Sequence, residues 1–120
     1  MKRFSLADRL KSFRFAFRGL QHLIRHEHNA RIHLFAAACA IILGFIFNIS
    51  ALEWIALAFS IGLVFITEII NTAIEKIADQ MNPGYNLNTS RIKDLAAASV
   101  LMAAIVAIIA GLLIFLPKII

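Results

Sequence analysis

Along this chain, apolar residues fall into three long blocks separated by short polar breaks, preceded by a segment in which apolar and basic residues interleave. In that first segment Leu6, Leu10, Phe13, Phe17, Leu20 and Ile24 recur three or four residues apart, with Arg9, Lys11, Arg14, Arg18 and Arg25 between them. The period predicts an amphipathic helix over residues 5–28 lying on a membrane surface, its basic side toward anionic lipid headgroups. Ser5, three residues before Asp8, supplies a start signal. The blocks at 32–49, 52–70 and 95–116 are each close to the ~20 apolar residues that a helix needs to span a bilayer. The second continues as a polar helix to residue 79, and the third is expected to begin near residue 91 with Ser90 as its N-cap. The expected fold class is an all-α membrane protein. Transmembrane helices at 32–49, 52–79 and 91–116 join an N-terminal amphipathic surface helix in one domain over residues 1–120.

Composition agrees, with 61% hydrophobic and 16% charged residues against ~45 to 50% hydrophobic for a typical soluble domain. Basic residues run through the first ~25 positions without the apolar core and small-residue cleavage site of a signal peptide, so the first span is expected to be retained. The lone Cys39 falls inside that span and predicts no intrachain disulfide. Eight of the 12 Lys and Arg lie at or before Arg31: Lys2, Arg3, Arg9, Lys11, Arg14, Arg18, Arg25 and Arg31. Arg91 and Lys93 sit before the third span, whereas the Asn48 to Glu53 connection has neither Lys nor Arg. The positive-inside rule therefore predicts a cytoplasmic N-terminus and second loop in a multi-pass protein of the bacterial inner (cell) membrane, with Lys118 outside. A net charge of +5 is accounted for by lipid headgroups and calls for no nucleic acid.

The polar residues of the second span carry the candidate chemistry. In EIINTAIEKIAD, residues 68–79, a helix at 100° per residue brings Glu68, Glu75 and Asp79 within about 40° of arc, with Asn71 about 60° to one side. Glu68 lies roughly 21 Å along the helix from the interfacial Trp54, still inside a ~30 Å core. A carboxylate there costs roughly 2.5 to 3.5 kcal/mol on insertion scales. Upstream, Glu27 continues the apolar stripe of the surface helix and would turn toward the bundle if that helix stayed continuous. Arg31, four residues on, is spaced to pair with it. His22, His26 and His33 share a helical face, but there is no HExxH, so an interfacial role is expected rather than a metal site. Ser99, Ala103, Ala107 and Gly111 repeat every four residues as a seam for close helix packing. Three short helices cannot shield several carboxylates, which points to an oligomer.

Four of the seven acidic residues, Glu68, Glu75, Asp79 and Asp94, fall between positions 68 and 94. Like charges cluster only where a cation or proton intervenes. Mg²⁺ suits such a site because it takes one or two carboxylates plus substrate phosphates and water, and a buried glutamate beside it can serve as general base. No GxxxxGK[ST], GxSxG or CxxC occurs. Intramembrane carboxylates also mark ion pathways, so a small proton- or cation-coupled transporter is the alternative. That alternative predicts a route to both faces, whereas the only acid in the outer half is Glu53.

Arg18-Gly19-Leu20, Glu27 with Arg31, the ExxNxAIExxxD run from Glu68 through Asn71 and Glu75 to Asp79, and Lys93-Asp94 together resemble the prokaryotic integral-membrane diacylglycerol kinase family, which includes the undecaprenol kinases. The resemblance covers nearly the whole chain, and its specific element is ExxNxAIExxxD. It implies a homotrimer with active sites shared between subunits, moving the γ-phosphate of MgATP to the hydroxyl of a membrane lipid, either diacylglycerol or undecaprenol. Carried over by position, Glu68 is the general base, Asn71 organises the site, and Glu27 and Glu75 hold Mg²⁺. Arg18, Asp79, Lys93 and Asp94 are then expected on the side of the nucleotide and phosphates. Two positions depart from the diacylglycerol kinase pattern: Ala97-Ala98 replaces a serine after the Lys-Asp pair, and Phe15-Ala16 replaces an aromatic-serine pair. Arg31-Ile32-His33 and the Phe-Leu-Pro-Lys tail are more similar to the undecaprenol kinase branch.

Overall fold

The computed structural model describes residues 3–120, so Lys2 lies outside the described residues. Four helices follow one another, α1 (Leu6–His26), α2 (His28–Ile46), α3 (Ala51–Met81) and α4 (Leu87–Ile119), and no strand occurs among the described residues. The last three are long and apolar enough to cross a membrane. At 1.5 Å per residue α3 is roughly 46 Å long, well beyond a ~30 Å hydrocarbon core. Its polar end must therefore project from the bilayer.

Each boundary has a local cause. Ser5 caps α1 by accepting the Asp8 N–H at 3.4 Å. Glu27 ends α1 in an extended conformation, φ −110° and ψ 115°, and is at the same time the N-cap residue of α2. One extended residue thus separates the two helices, and the apolar stripe of α1 does not run on through Glu27. Because the helix is broken there, Arg31 does not pair with Glu27 as the four-residue spacing suggested. Its Nη2 donates instead to the Arg25 carbonyl at 2.9 Å, capping the end of α1. After α2, Asn48 takes φ 51°, and the N–H groups of Asn48 and Ile49 close on the carbonyls of Phe45 and Gly44 at 3.3 and 3.1 Å. This is a Schellman stop with Asn in the left-handed position that Asn tolerates better than most side chains.

α3 opens with a capping box. Ser50 Oγ accepts the Glu53 N–H at 3.2 Å, and Glu53 Oε1 accepts the Ser50 N–H at 3.0 Å. The other carboxylate oxygen of Glu53 accepts from Lys118 Nζ at 2.5 Å, tying the end of α4 to the start of α3. At the opposite end of the bundle the expected start of the third span is corrected. The N-cap is Asn86, not Ser90, because the Asn86 side chain accepts the Thr89 N–H at 3.1 Å while Thr89 Oγ1 accepts from Asn82 Nδ2 at 3.1 Å. Asn88, Thr89 and Ser90 are accordingly helical.

α3 and α4 pack most extensively, and α2 and α1 lean on them. A buried apolar cluster, Ile49, Leu57, Ile114 and Phe115, sits at the end where α2 turns into α3. The protomer exposes 9188 Å², against about 6,450 Å² expected for a compact soluble protein of this mass. Most large apolar side chains of α2, α3 and α4 lie on that exposed surface, as contact with lipid requires.

Gly44 on α2 leaves room for the Trp54 ring of α3: a Cβ there would stand 2.6 Å from that ring. Gly44→Ala is expected to displace Trp54 and cost about 1 to 3 kcal/mol as an overpacking change, read as a lower unfolding midpoint and a shifted tryptophan emission in micelles. Gly62→Ala, with open space around it, should stay within about 0.5 kcal/mol of the parent.

Candidate active site

The end of α3 that lies toward α1 gathers the polar residues. Glu68 is only 1% exposed, the most deeply buried large side chain among the described residues. Its Oε2 has no hydrogen-bond partner. The nearest side chain of basic type is the imidazole of His33 on α2, with Nε2 3.8 Å from that oxygen, a separation too long for a direct hydrogen bond. Glu27 and Glu75 also act on Glu68 electrostatically. One turn along α3, Asn71 is buried and donates from Nδ2 to Glu75 Oε1 at 3.3 Å, while its own Oδ1 is buried without a partner. Thr72, next to it, is also buried with an unpartnered hydroxyl.

Among the described residues, the four unpartnered buried side-chain atoms, His22 Nε2, Glu68 Oε2, Asn71 Oδ1 and Thr72 Oγ1, lie on this part of α3 or on α1. Each such group costs roughly 1 to 3 kcal/mol when left without a partner. Their concentration in one place indicates a site completed by something polar from outside the protomer. On α1, His22 stacks on His26 with ring centroids 4.2 Å apart. Burial, followed by the Lys76 ammonium and then His26, pushes the His22 pKa below its ordinary value.

Of the residues singled out from the sequence, the structure brings Glu68, Asn71 and Glu75 onto one face, with Glu27 at the α1–α2 break beside them. Asp79 and Lys93 form an ion pair that bridges α3 and α4, and Lys93 is within electrostatic reach of Glu75. Arg18 stands apart on the exposed side of α1, its guanidinium 5.6 Å from the Phe15 ring centroid. Asp94 is exposed, and no hydrogen bond or ion pair joins it to the described residues. His33 and Thr72 were not singled out as site residues from the sequence. His33 shares a face with His22 and His26 only on an unbroken helix; the extended Glu27 carries it onto α2 and across to Glu68.

No three His, Cys, Asp or Glu side chains among the described residues converge into a ready metal cage. A cation arriving with a phosphate substrate needs only one or two protein carboxylates, since phosphates and water complete its shell. Glu75 and Glu27, with the unpartnered amide oxygen of Asn71, are hard oxygen donors of the right kind.

The fold and this site define a multi-pass membrane protein with a buried carboxylate centre, and comparison with known proteins gives its class. The model for the prokaryotic diacylglycerol kinase family matches residues 14–115. The chain is 40% identical over 108 residues to an undecaprenol kinase of Bacillus subtilis, covering 90% of this chain and 88% of that protein. It is 36% identical over 109 residues to a diacylglycerol kinase of Synechocystis, covering 90% of this chain and 62% of that protein. To a diacylglycerol kinase of Escherichia coli it is 32% identical over 100 residues, covering 83% and 82%. The chain belongs to the prokaryotic diacylglycerol kinase family. It is a lipid kinase, a phosphotransferase that uses ATP and an alcohol acceptor, and the transporter alternative finds no support.

The Asp79–Lys93 pair is solvent-facing, with side chains 62% and 37% exposed. Lys93→Met is therefore expected to change stability by less than about 1 kcal/mol, measured by unfolding in mixed micelles. A larger loss would mean that this pair holds α3 to α4.

Proposed function

We propose that this protein transfers the γ-phosphate of MgATP to the hydroxyl of a membrane lipid, diacylglycerol or undecaprenol, with Glu68 as the general base. The observation that carries this is the burial of Glu68, with one carboxylate oxygen unpartnered, on a helix long and apolar enough to cross a membrane. A base on an exposed surface could not meet an alcohol whose chain stays in the bilayer. Undecaprenol is the acceptor favoured by the relative of highest identity reported above.

The reaction balances with the groups present. The acceptor oxygen forms the bond to Pγ as its O–H bond breaks and the proton passes to Glu68. The bond from Pγ to the bridging β-phosphate oxygen breaks, and ADP leaves with that electron pair. Transfer of this kind asks little covalent chemistry of the protein; positioning and charge neutralisation carry it. Glu75 and Glu27 would hold Mg²⁺, which when bound with ATP neutralises the β- and γ-phosphate oxygens. Asn71, hydrogen-bonded to Glu75, fixes that carboxylate relative to Glu68. Lys93, with Asp79 orienting it, offers a positive charge to the phosphates, and Asp94 and Arg18 complete the nucleotide side.

The protein is a homotrimer in which neighbouring copies close the site; the excess exposed apolar area and the unpartnered buried atoms support this. It sits in the inner membrane with its N-terminus in the cytoplasm, where ATP is, and α1 rests on anionic headgroups. The whole of residues 1–120 acts as one membrane kinase domain, with residues 5–28 as the surface segment.

Glu68→Gln keeps the shape and removes the base. Lipid phosphorylation should fall by on the order of 10²- to 10⁴-fold with trimer elution and ATP affinity unchanged, followed as labelled phosphate entering the organic phase. Loss of ATP affinity with an unchanged rate per bound ATP would remove Glu68 from the base role. For Glu75→Gln, activity is expected to return in part as Mg²⁺ is raised. An activity independent of Mg²⁺ concentration contradicts its ligand role.

A further inference from the structure

His33 belongs to two features at once. Its Nε2 is 3.8 Å from Glu68 Oε2, and its ring forms part of the wall of a cavity of about 280 Å³ between α2, α3 and α4. Beyond His33 that cavity is bounded mostly by small and aliphatic side chains, among them Ala36, Ala40, Val64 and Ala107, with the ring of Phe65. Its one other polar side chain, Ser60, spends its hydroxyl on the Ala56 carbonyl at 2.8 Å. The cavity is therefore apolar except at His33, beside the buried carboxylate.

A separation of 3.8 Å is too long for a hydrogen bond and too short to leave the two groups independent. A hydroxyl oxygen placed about 2.8 Å from each atom would bridge the gap with a bent angle of roughly 85° at the oxygen. Such a hydroxyl donates its proton to Glu68 Oε2, which lacks a donor, and accepts the Nε2–H of His33. A lone pair remains for attack on phosphorus.

We propose that His33 is the second anchor of the acceptor alcohol, holding the lipid hydroxyl against Glu68 while its hydrocarbon lies in the cavity beyond. This rests on Glu68 as the base. His33 takes no proton in the step: the hydroxyl proton goes to Glu68, the oxygen bonds to Pγ, ADP departs with the electron pair, and the imidazole N–H bond persists throughout. Its task is to select the orientation in which a lipid hydroxyl, and not water, faces the phosphate. Two anchors fix a direction that one carboxylate cannot.

The test uses the full-length protein in mixed micelles with saturating MgATP, offered undecaprenol and diacylglycerol in parallel, with His33→Leu, His33→Gln, His33→Asn and Glu68→Gln beside the parent. Phosphate entering lipid and phosphate released to water are counted separately. In His33→Leu, lipid phosphorylation should fall by on the order of 10- to 100-fold, the loss of one hydrogen bond to a reacting group. KM for ATP should hold, and the share of phosphate lost to water should rise. Gln places an amide N–H near the position of Nε2 and should recover most of the rate; Asn is one bond too short and should not. Gln and Asn fold alike as polar substitutions, so equal rates in these two overturn the proposal even if the Leu variant does not assemble. An unchanged water-to-lipid ratio in an assembled Leu variant also overturns it. If Glu68→Gln is inactive while every His33 variant matches the parent, only the His33 assignment fails; if Glu68→Gln stays active, the base assignment fails first.

Discussion

The structure is organised around one expensive group, the carboxylate of Glu68, buried to 1% exposure within a membrane-spanning helix. A charge at that depth is tolerated only where neighbours or a substrate compensate it. Within one protomer the compensation is partial: an imidazole at 3.8 Å and an oxygen with no hydrogen-bond partner. Asn71 and Thr72 repeat the pattern on the same segment. A helix selected for stability alone would place leucine or alanine at these positions.

The same economy shapes the rest of the fold. The strongest fixed contacts are at the end of the bundle away from Glu68, where Gly44 admits Trp54, Asn48 turns the chain, and Glu53 serves both as a cap and as the partner of Lys118. The apolar cluster of Ile49, Leu57, Ile114 and Phe115 closes that end. Toward Glu68, packing gives way to small residues and a cavity. One end carries stability, and the other leaves open space beside the buried carboxylate.

The helices themselves were legible in the sequence because hydrophobic period and length are strong signals, and the shared face of Glu68, Asn71 and Glu75 follows from helix geometry alone. Ser5 was legible as a cap because an acidic residue follows at the N3 position, Asp8, whose N–H the Ser5 side chain accepts. In NLNTS four capping residues compete, Asn86, Asn88, Thr89 and Ser90, and Asn86 prevails over Ser90 through a contact between Thr89 and Asn82 that no local pattern encodes. The break at Glu27 had no Pro or Gly to announce it. Since the rotation of every later residue depends on that one extended position, Arg31 turned back to Arg25 and His33 turned to Glu68. The separation of Arg18 and Asp94 from the carboxylates within one protomer likewise follows from tertiary placement, not spacing.

The position of the break also has a functional logic. Joined by a continuous helix, α1 and α2 would place Glu27 and His33 about 120° apart around one axis, because six residues at 100° each leave that offset. With Glu27 extended, α1 is free to lie along the membrane surface while α2 enters the bilayer, and both residues come to bear on Glu68. The groups proposed for metal and acceptor are thereby drawn from two sides of a single bend. A substrate pair that meets at the interface, ATP from water and an alcohol from lipid, requires a site supplied from both phases, and one extended residue between a surface helix and a spanning helix is a minimal way to build it.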